Sequence, residues 1–163
     1  MTMGLVQNAA WWAADYLYAA RAQILALDRR VDAATFCTGH RSPVVVLPGV
    51  YEPWRFMLPM IRMLHGDGHP VHVVDPLQNN RRPVAHGAEA VAHYLREHQL
   101  EDVAIVAHSK GGLLGKHVMA FGTEKNRVRS MVAIATPFGG STLARYQVSP
   151  TLRSVSPRNA PLR

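Results

Sequence analysis

The sequence contains a single cysteine, Cys37. One cysteine cannot close a disulfide within the chain, so nothing in the sequence points to an oxidising compartment. Paired cysteines and the HExxH spacing of zinc enzymes are also absent, although the chain has nine histidines. Cys37 lies in a polar segment away from any strand-to-helix turn, and we interpret it as unreactive. The sequence therefore predicts neither a metal nor a cofactor.

Lysine is scarce, with three residues, and the formal net charge of +7 comes mainly from arginine. The arginines are scattered along the chain, and no long basic run occurs. A nucleic-acid site usually gathers such charges on one face or in one stretch. We therefore expect a solvated basic surface and no nucleic-acid partner.

Long uncharged apolar runs are missing too. The N-terminal segment has no basic start, and Asp15 and Arg21 interrupt its apolar part, which argues against a signal peptide and a membrane span. Its apolar residues recur every three or four positions, and this spacing predicts a helix over 8–31. Trp11 and Trp12 suit weak association with a membrane surface, whereas acidic residues along the helix favour packing on the domain. The expected location is the cytoplasm.

What the sequence does contain is an alternation of short apolar runs with helical periodicities. The apolar runs are rich in valine and bounded by proline, glycine or aspartate, which is typical of buried strands. Strands are predicted over 43–50, 71–74, 102–109 and 128–136, and helices over 53–65, 84–99 and 110–121. This order predicts an α/β fold with a parallel sheet and helices on both faces. Residues 1–42 are then a helical arm and connector, and residues 43–163 a core with an irregular C-terminal tail.

The third predicted strand runs directly into a helix at Ser109, in the stretch VAIVAHSKGG. An immediate strand-to-helix turn strains the backbone at the bend and lifts that side chain clear of the sheet. Small residues are needed two positions before and after the bend, and Ala107 and Gly111 stand there. The free N–H of Lys110 then points toward the place where negative charge develops on an attacked carbonyl. The simpler alternative interpretation of Ser109 is an ordinary helix N-cap.

The stretch Ala-His-Ser-Lys-Gly resembles the nucleophile elbow of the α/β-hydrolase superfamily, in particular of bacterial lipases and esterases. Two further segments fall in the same order as in that family. LPGVYEP, at 47–53, resembles the oxyanion loop, with Pro48 in place of its histidine. ATPFGGS, at 135–141, resembles a Thr-Pro-x-x-Gly-Ser segment of many lipases. The resemblance covers about residues 43–146.

This resemblance implies a serine hydrolase that acts on carboxylic esters without a cofactor. Ser109 is then the nucleophile that forms an acyl-enzyme, and the backbone N–H groups of Val50 and Lys110 form the oxyanion hole. The implied substrate is a small-molecule or lipid acyl ester. His108, next to the nucleophile, is expected to point away from it and to pack or line the pocket.

The family orders its triad as serine, acid, histidine. After Ser109 this sequence has one histidine, His117 on the predicted helix, and one acidic residue, Glu124. Three interpretations follow. The chain is a C-terminally truncated hydrolase core that lacks the last strands; or a base comes from elsewhere, such as His86 with Asp75; or the chain is a non-catalytic binding or interaction protein on a degenerate scaffold. A sheet edge left unpaired would invite self-association.

Overall fold

The structure is a computed structural model, and it describes residues 30–140. The helix predicted over 8–31, with Trp11 and Trp12, lies almost entirely outside the described residues, and so does the predicted C-terminal tail. Within the described range, no helix combines the length and the apolar character that crossing a membrane requires.

Four parallel strands form one sheet in the order β2-β1-β3-β4. Their bounds are Val44–Leu47 for β1, Val71–Val73 for β2, Val103–His108 for β3 and Val128–Ile134 for β4. The predicted α/β fold with a parallel sheet is confirmed. Strand β4 ends two residues before its predicted end, because Ala135 takes a left-handed φ of 50° that no extended strand can continue.

Three α-helices connect the strands: α1 (Leu58–Gly66), α2 (Val84–Glu97) and α3 (Lys110–Phe121). The prediction of one helix from residue 53 onward was wrong in its first turn, where Trp54–Met57 form a 3₁₀ helix. Pro59 explains the difference, since it has no N–H to donate to the carbonyl four residues earlier. The other two helices begin where the sequence predicted them.

Helices cover both faces of the sheet, as predicted. Strand β1 is fully buried, and its side chains alternate between two apolar clusters because successive residues of a strand point to opposite faces. Val45 and Leu47 pack in the cluster of α2 and α3. Val44 and Val46 pack in the cluster of α1 and the 3₁₀ turn that contains Phe36. Because the strand is buried on both faces, its sequence is continuously apolar.

The strand order determines where a ligand site can form. From β1 the chain proceeds to β2 on one side, and then returns to place β3 and β4 on the other. Such a reversal leaves a crevice beyond the carboxyl ends of the two strands where it occurs, here β1 and β3. Leu47 at the end of β1 is paired with Ala107 near the end of β3. The segments that follow these strands therefore begin side by side.

Candidate active site

Ser109 occupies the turn between β3 and α3 in a strained backbone conformation, with φ 51° and ψ −120°. An ordinary N-cap has an extended backbone and a side chain that accepts a bond from the helix. Ser109 has neither feature, because its side chain makes no capping hydrogen bond. Its N–H donates to the carbonyl of Ile134 at 2.8 Å, which ties the turn to β4. The backbone and side chain of Ser109 therefore differ from those of an ordinary N-cap.

Gly111 shows why the residue two positions after the serine has to be small. A Cβ added there would lie 2.7 Å from the carbonyl carbon of Leu47 and 2.9 Å from the carbonyl oxygen of Pro48. Both are backbone atoms, which a rotamer change cannot move aside. The first turn of α3 therefore lies in backbone contact with the start of the loop at 48–52, the segment that resembles an oxyanion loop.

Val50, the predicted second oxyanion donor, lies in this loop with its N–H free of any described partner. The N–H groups on either side are engaged: that of Gly49 donates to the Glu52 carboxylate at 2.8 Å, and that of Tyr51 to the carbonyl of Asn79 at 2.7 Å. A backbone donor without a protein partner is available to a ligand oxygen. Among three successive N–H groups, the structure leaves this one open.

Lys110 supplies the other predicted donor, since the first N–H of a helix has no partner within the helix. Its side chain has a role that the sequence did not reveal. Lys110 is fully buried, and its ammonium donates to the carbonyls of Asn80 at 2.9 Å and of Arg82 at 2.5 Å. Asn80 in turn donates to the Pro48 carbonyl at 2.8 Å. Helix α3, the segment after β2 and the loop at 48–52 are thereby joined.

The burial of Lys110 predicts a pH dependence of stability. Loss of solvent lowers the pKa of its ammonium from 10.5 to about 8, so between these values the unfolded chain binds more protons than the folded one. The free energy of unfolding should therefore increase as the pH rises from about 8 toward 10.5. Below this window Lys110 should cause no such increase.

Urea unfolding of the wild type and of Lys110→Met across this window measures the contribution. The variant has no ammonium to titrate, and we expect its stability to rise less with pH than that of the wild type. Lys125→Met removes an exposed lysine, and its free energy of unfolding should rise with pH as steeply as that of the wild type. If the free energy of unfolding of Lys110→Met rises with pH as steeply as that of the wild type, the Lys110 ammonium is not the cause of the rise.

Glu52 and His108 form a second feature that sequence reasoning missed. The Nδ1 atom of His108 lies 2.8 Å from Oε2 of Glu52, and the two side chains are 26% and 13% exposed. The hydrogen bond to the carboxylate raises the pKa of His108. The ring also lies against Phe56, a packing contact of the kind expected for His108. The one feature of the sequence that distinguishes Glu52 is that no other acidic residue lies between Asp32 and Asp67.

The remaining candidates have contacts of their own elsewhere in the described residues. His86 lines a cavity of about 270 Å³ between α2 and the segment after β2, and no hydrogen bond joins it to Asp75 within the described range. The His117 ring packs edge-on against Phe121, and Glu124 pairs with two arginines. No histidine or carboxylate among residues 30–140 is hydrogen-bonded to the Ser109 hydroxyl, and no group of three potential metal ligands occurs in that range.

Comparison with known proteins gives matches of structure only. No protein-family profile matches the sequence, and no curated protein does. The mature form of the Bacillus licheniformis lipase BlEst2 is similar with a TM-score of 0.64 and 18% identity, over 74% of this chain and 56% of the lipase. Its propeptide form matches with a TM-score of 0.65 and 18% identity, over 72% of this chain and 30% of that one.

An extracellular α/β-hydrolase from a Paenibacillus species, described as sharing structural and functional homology with tobacco salicylic acid binding protein 2, is similar with a TM-score of 0.53. The identity is 20%, over 70% of this chain and 49% of that protein. The chain thus spans about half the length of these proteins or less. At such identities the likeness concerns the fold, and the described part of the chain has the α/β fold of these lipase and α/β-hydrolase structures.

Proposed function

We propose that this chain carries the nucleophile and the oxyanion hole of a serine hydrolase that acts on carboxylic esters. The observation that carries the proposal is the backbone of Ser109, whose φ of 51° serves neither a strand nor a helix cap. Strain of this kind costs about 1–3 kcal/mol and persists where the surrounding structure enforces it, often at functional sites. The serine also lies at the reversal of the strand order, where ligands of open α/β sheets bind.

The reaction proceeds through an acyl-enzyme. The Oγ atom of Ser109 attacks the ester carbonyl carbon, and the carbonyl electron pair moves onto its oxygen. The N–H groups of Val50 and Lys110 donate to this oxyanion, and the amino end of α3 adds a favourable dipole. The tetrahedral intermediate then expels the alcohol, which takes the proton lost by the serine. Water attacks the acyl group in the same way and releases the acid.

The substrate that this chemistry suits is an uncharged acyl ester, either a small molecule or a lipid. Two of the structural neighbours are forms of a lipase, and at 18% identity the likeness is one of fold. Weak association with a membrane surface through Trp11 and Trp12 remains a prediction, and so does the cytoplasmic location.

A second candidate function is a non-catalytic binding or interaction protein. Two observations favour it. The serine proton needs a base, and no described histidine is hydrogen-bonded to the Ser109 hydroxyl. In addition, β4 is the last strand in the sheet order within residues 30–140, and its residues Val132 and Ile134 are 59% and 37% exposed. An exposed apolar edge strand favours association with another chain, including a second copy.

Labelling with a fluorophosphonate separates the two candidates. An activated serine displaces fluoride from phosphorus and becomes covalently phosphonylated, which intact-mass and peptide mass spectrometry detect. We expect one adduct, located on Ser109. Ser109→Ala should lose it, and Ser130→Ala, which changes an exposed serine of β4, should retain it. A wild-type protein without an adduct on Ser109 would exclude an activated nucleophile and favour the binding function.

A further inference from the structure

We propose that Glu52 is a positioning residue of the oxyanion loop, whose carboxylate and its partner His108 fix the turn that presents the Val50 N–H to the substrate. The inference rests on the proposed function. It adds two side chains, neither of which belongs to the nucleophile or the oxyanion hole as predicted from the sequence.

One carboxylate oxygen makes both contacts. Oε2 of Glu52 accepts from the N–H of Gly49 at 2.8 Å and from the ring of His108 at 2.8 Å. The N–H of Glu52 lies 3.4 Å from the Gly49 carbonyl, which closes the turn from the other side. Hydrogen bonds to an ionised acceptor are about twice as strong as neutral ones. Both side chains are mostly shielded from solvent, so screening weakens the pair less than it would at the surface.

The turn needs such a restraint. Tyr51 has a left-handed φ of 61°, which is uncommon for a bulky side chain. At Gly49 an added Cβ would lie 2.6 Å from the Glu52 carboxylate, so glycine allows the carboxylate to approach the backbone. The N–H of Gly49 is held by the Glu52 carboxylate, and the N–H of Tyr51 by the Asn79 carbonyl. Because the residues before and after Val50 are both held, the direction of the Val50 N–H is fixed.

His108 extends this restraint to the nucleophile. It is the last residue of β3 and immediately precedes Ser109, so the pair joins the loop that carries one oxyanion donor to the strand that carries the attacking group. Oxyanion donors act only when they lie within hydrogen-bond distance of the developing charge. Loss of the pair should therefore weaken transition-state binding more than ground-state binding.

Glu52→Gln tests this inference, with Glu97→Gln as the matched control. Glu97 faces His93 at 3.5 Å on the exposed side of α2, so the control breaks a glutamate–histidine pair remote from the loop. With p-nitrophenyl acetate as the substrate, we expect Glu52→Gln to lower kcat on the order of tenfold, less than complete loss of a donor, with KM nearly unchanged. Amide exchange at Gly49 and Tyr51, whose N–H groups donate to Glu52 and to the Asn79 carbonyl, should accelerate. Neither quantity should change in Glu97→Gln.

Variants of His108 provide a rescue. His108→Gln keeps a side-chain donor toward Glu52, whereas His108→Ala does not, and the glutamine should retain more of kcat. An active wild type whose kcat is unaffected by Glu52→Gln would overturn the inference. If the wild type itself shows no turnover that depends on Ser109, the proposed function fails. Amide exchange is then the remaining measurement: unchanged exchange at Gly49 and Tyr51 would overturn the role of Glu52 in holding the turn, and faster exchange would support it.

Discussion

Ser109→Ala is expected to hydrolyse p-nitrophenyl acetate more slowly than the wild type by a factor on the order of 10³ or more, because removal of a catalytic nucleophile abolishes most of the rate enhancement. The variant loses the Oγ atom that forms the acyl-enzyme and retains the backbone donors. Any residual rate then comes from the oxyanion hole and from binding alone. The methyl group of alanine occupies less space than the hydroxymethyl group, so the strained turn at φ 51° has room for it.

Ser130→Ala provides the control, since it removes a serine of β4 whose side chain lies on the exposed side of the sheet. Its rate should equal that of the wild type. Equal rates for the wild type and Ser109→Ala would contradict the proposed hydrolase. The turn at Ser109 would then have no catalytic activity, and the binding function would be preferred.

The second large effect concerns stability. Gly111→Ala is expected to lower the free energy of unfolding on the order of 3 kcal/mol, the upper part of the usual range for overpacking. The added methyl group would meet the carbonyl groups of Leu47 and Pro48, and these backbone atoms move only if β1 and α3 separate. The separation would also displace the Val50 loop from Lys110, so activity should fall together with stability.

Gly66→Ala is the matched control, because a Cβ at this last residue of α1 has nothing within 4 Å. Alanine reduces the freedom of the unfolded chain, so we expect an unchanged or slightly higher stability, by about 0.5 kcal/mol. Urea unfolding of both variants measures the difference. A Gly111→Ala variant as stable as Gly66→Ala would show that the contact between α3 and the loop is loose.

The local patterns of the sequence predicted most of the secondary structure. Valine-rich runs between proline and glycine became strands, and the apolar periodicities became α2 and α3 with nearly the predicted bounds. These patterns work because burial on a strand or a helix face repeats at a short period along the chain. The exception is the first turn before α1, where the effect of Pro59 on the hydrogen bonds outweighs the apolar spacing.

The sequence also predicted Ser109 and Lys110 as site residues from their position at the end of a predicted strand, and the resemblance to an oxyanion loop added Val50. Such positions are local, since a strand that ends in a turn places the next residues at the carboxyl edge of the sheet. What the patterns did not provide was any contact between distant segments. Glu52 and His108 are separated by 56 positions, and Lys110 reaches a carbonyl 30 positions away.

The class of fold, the faces of the sheet and the residues at its carboxyl edge therefore follow from local sequence patterns. Which of these residues meet depends on the packing of distant segments, which places β1 beside β3, brings the loop after β1 against the start of α3 and buries the Lys110 ammonium under the segment after β2. The apolar periodicity of a segment indicates which of its residues are buried, but not which element packs against them. The order of the strands depends on packing over the whole sheet, and the polar contacts at its edge follow from that order.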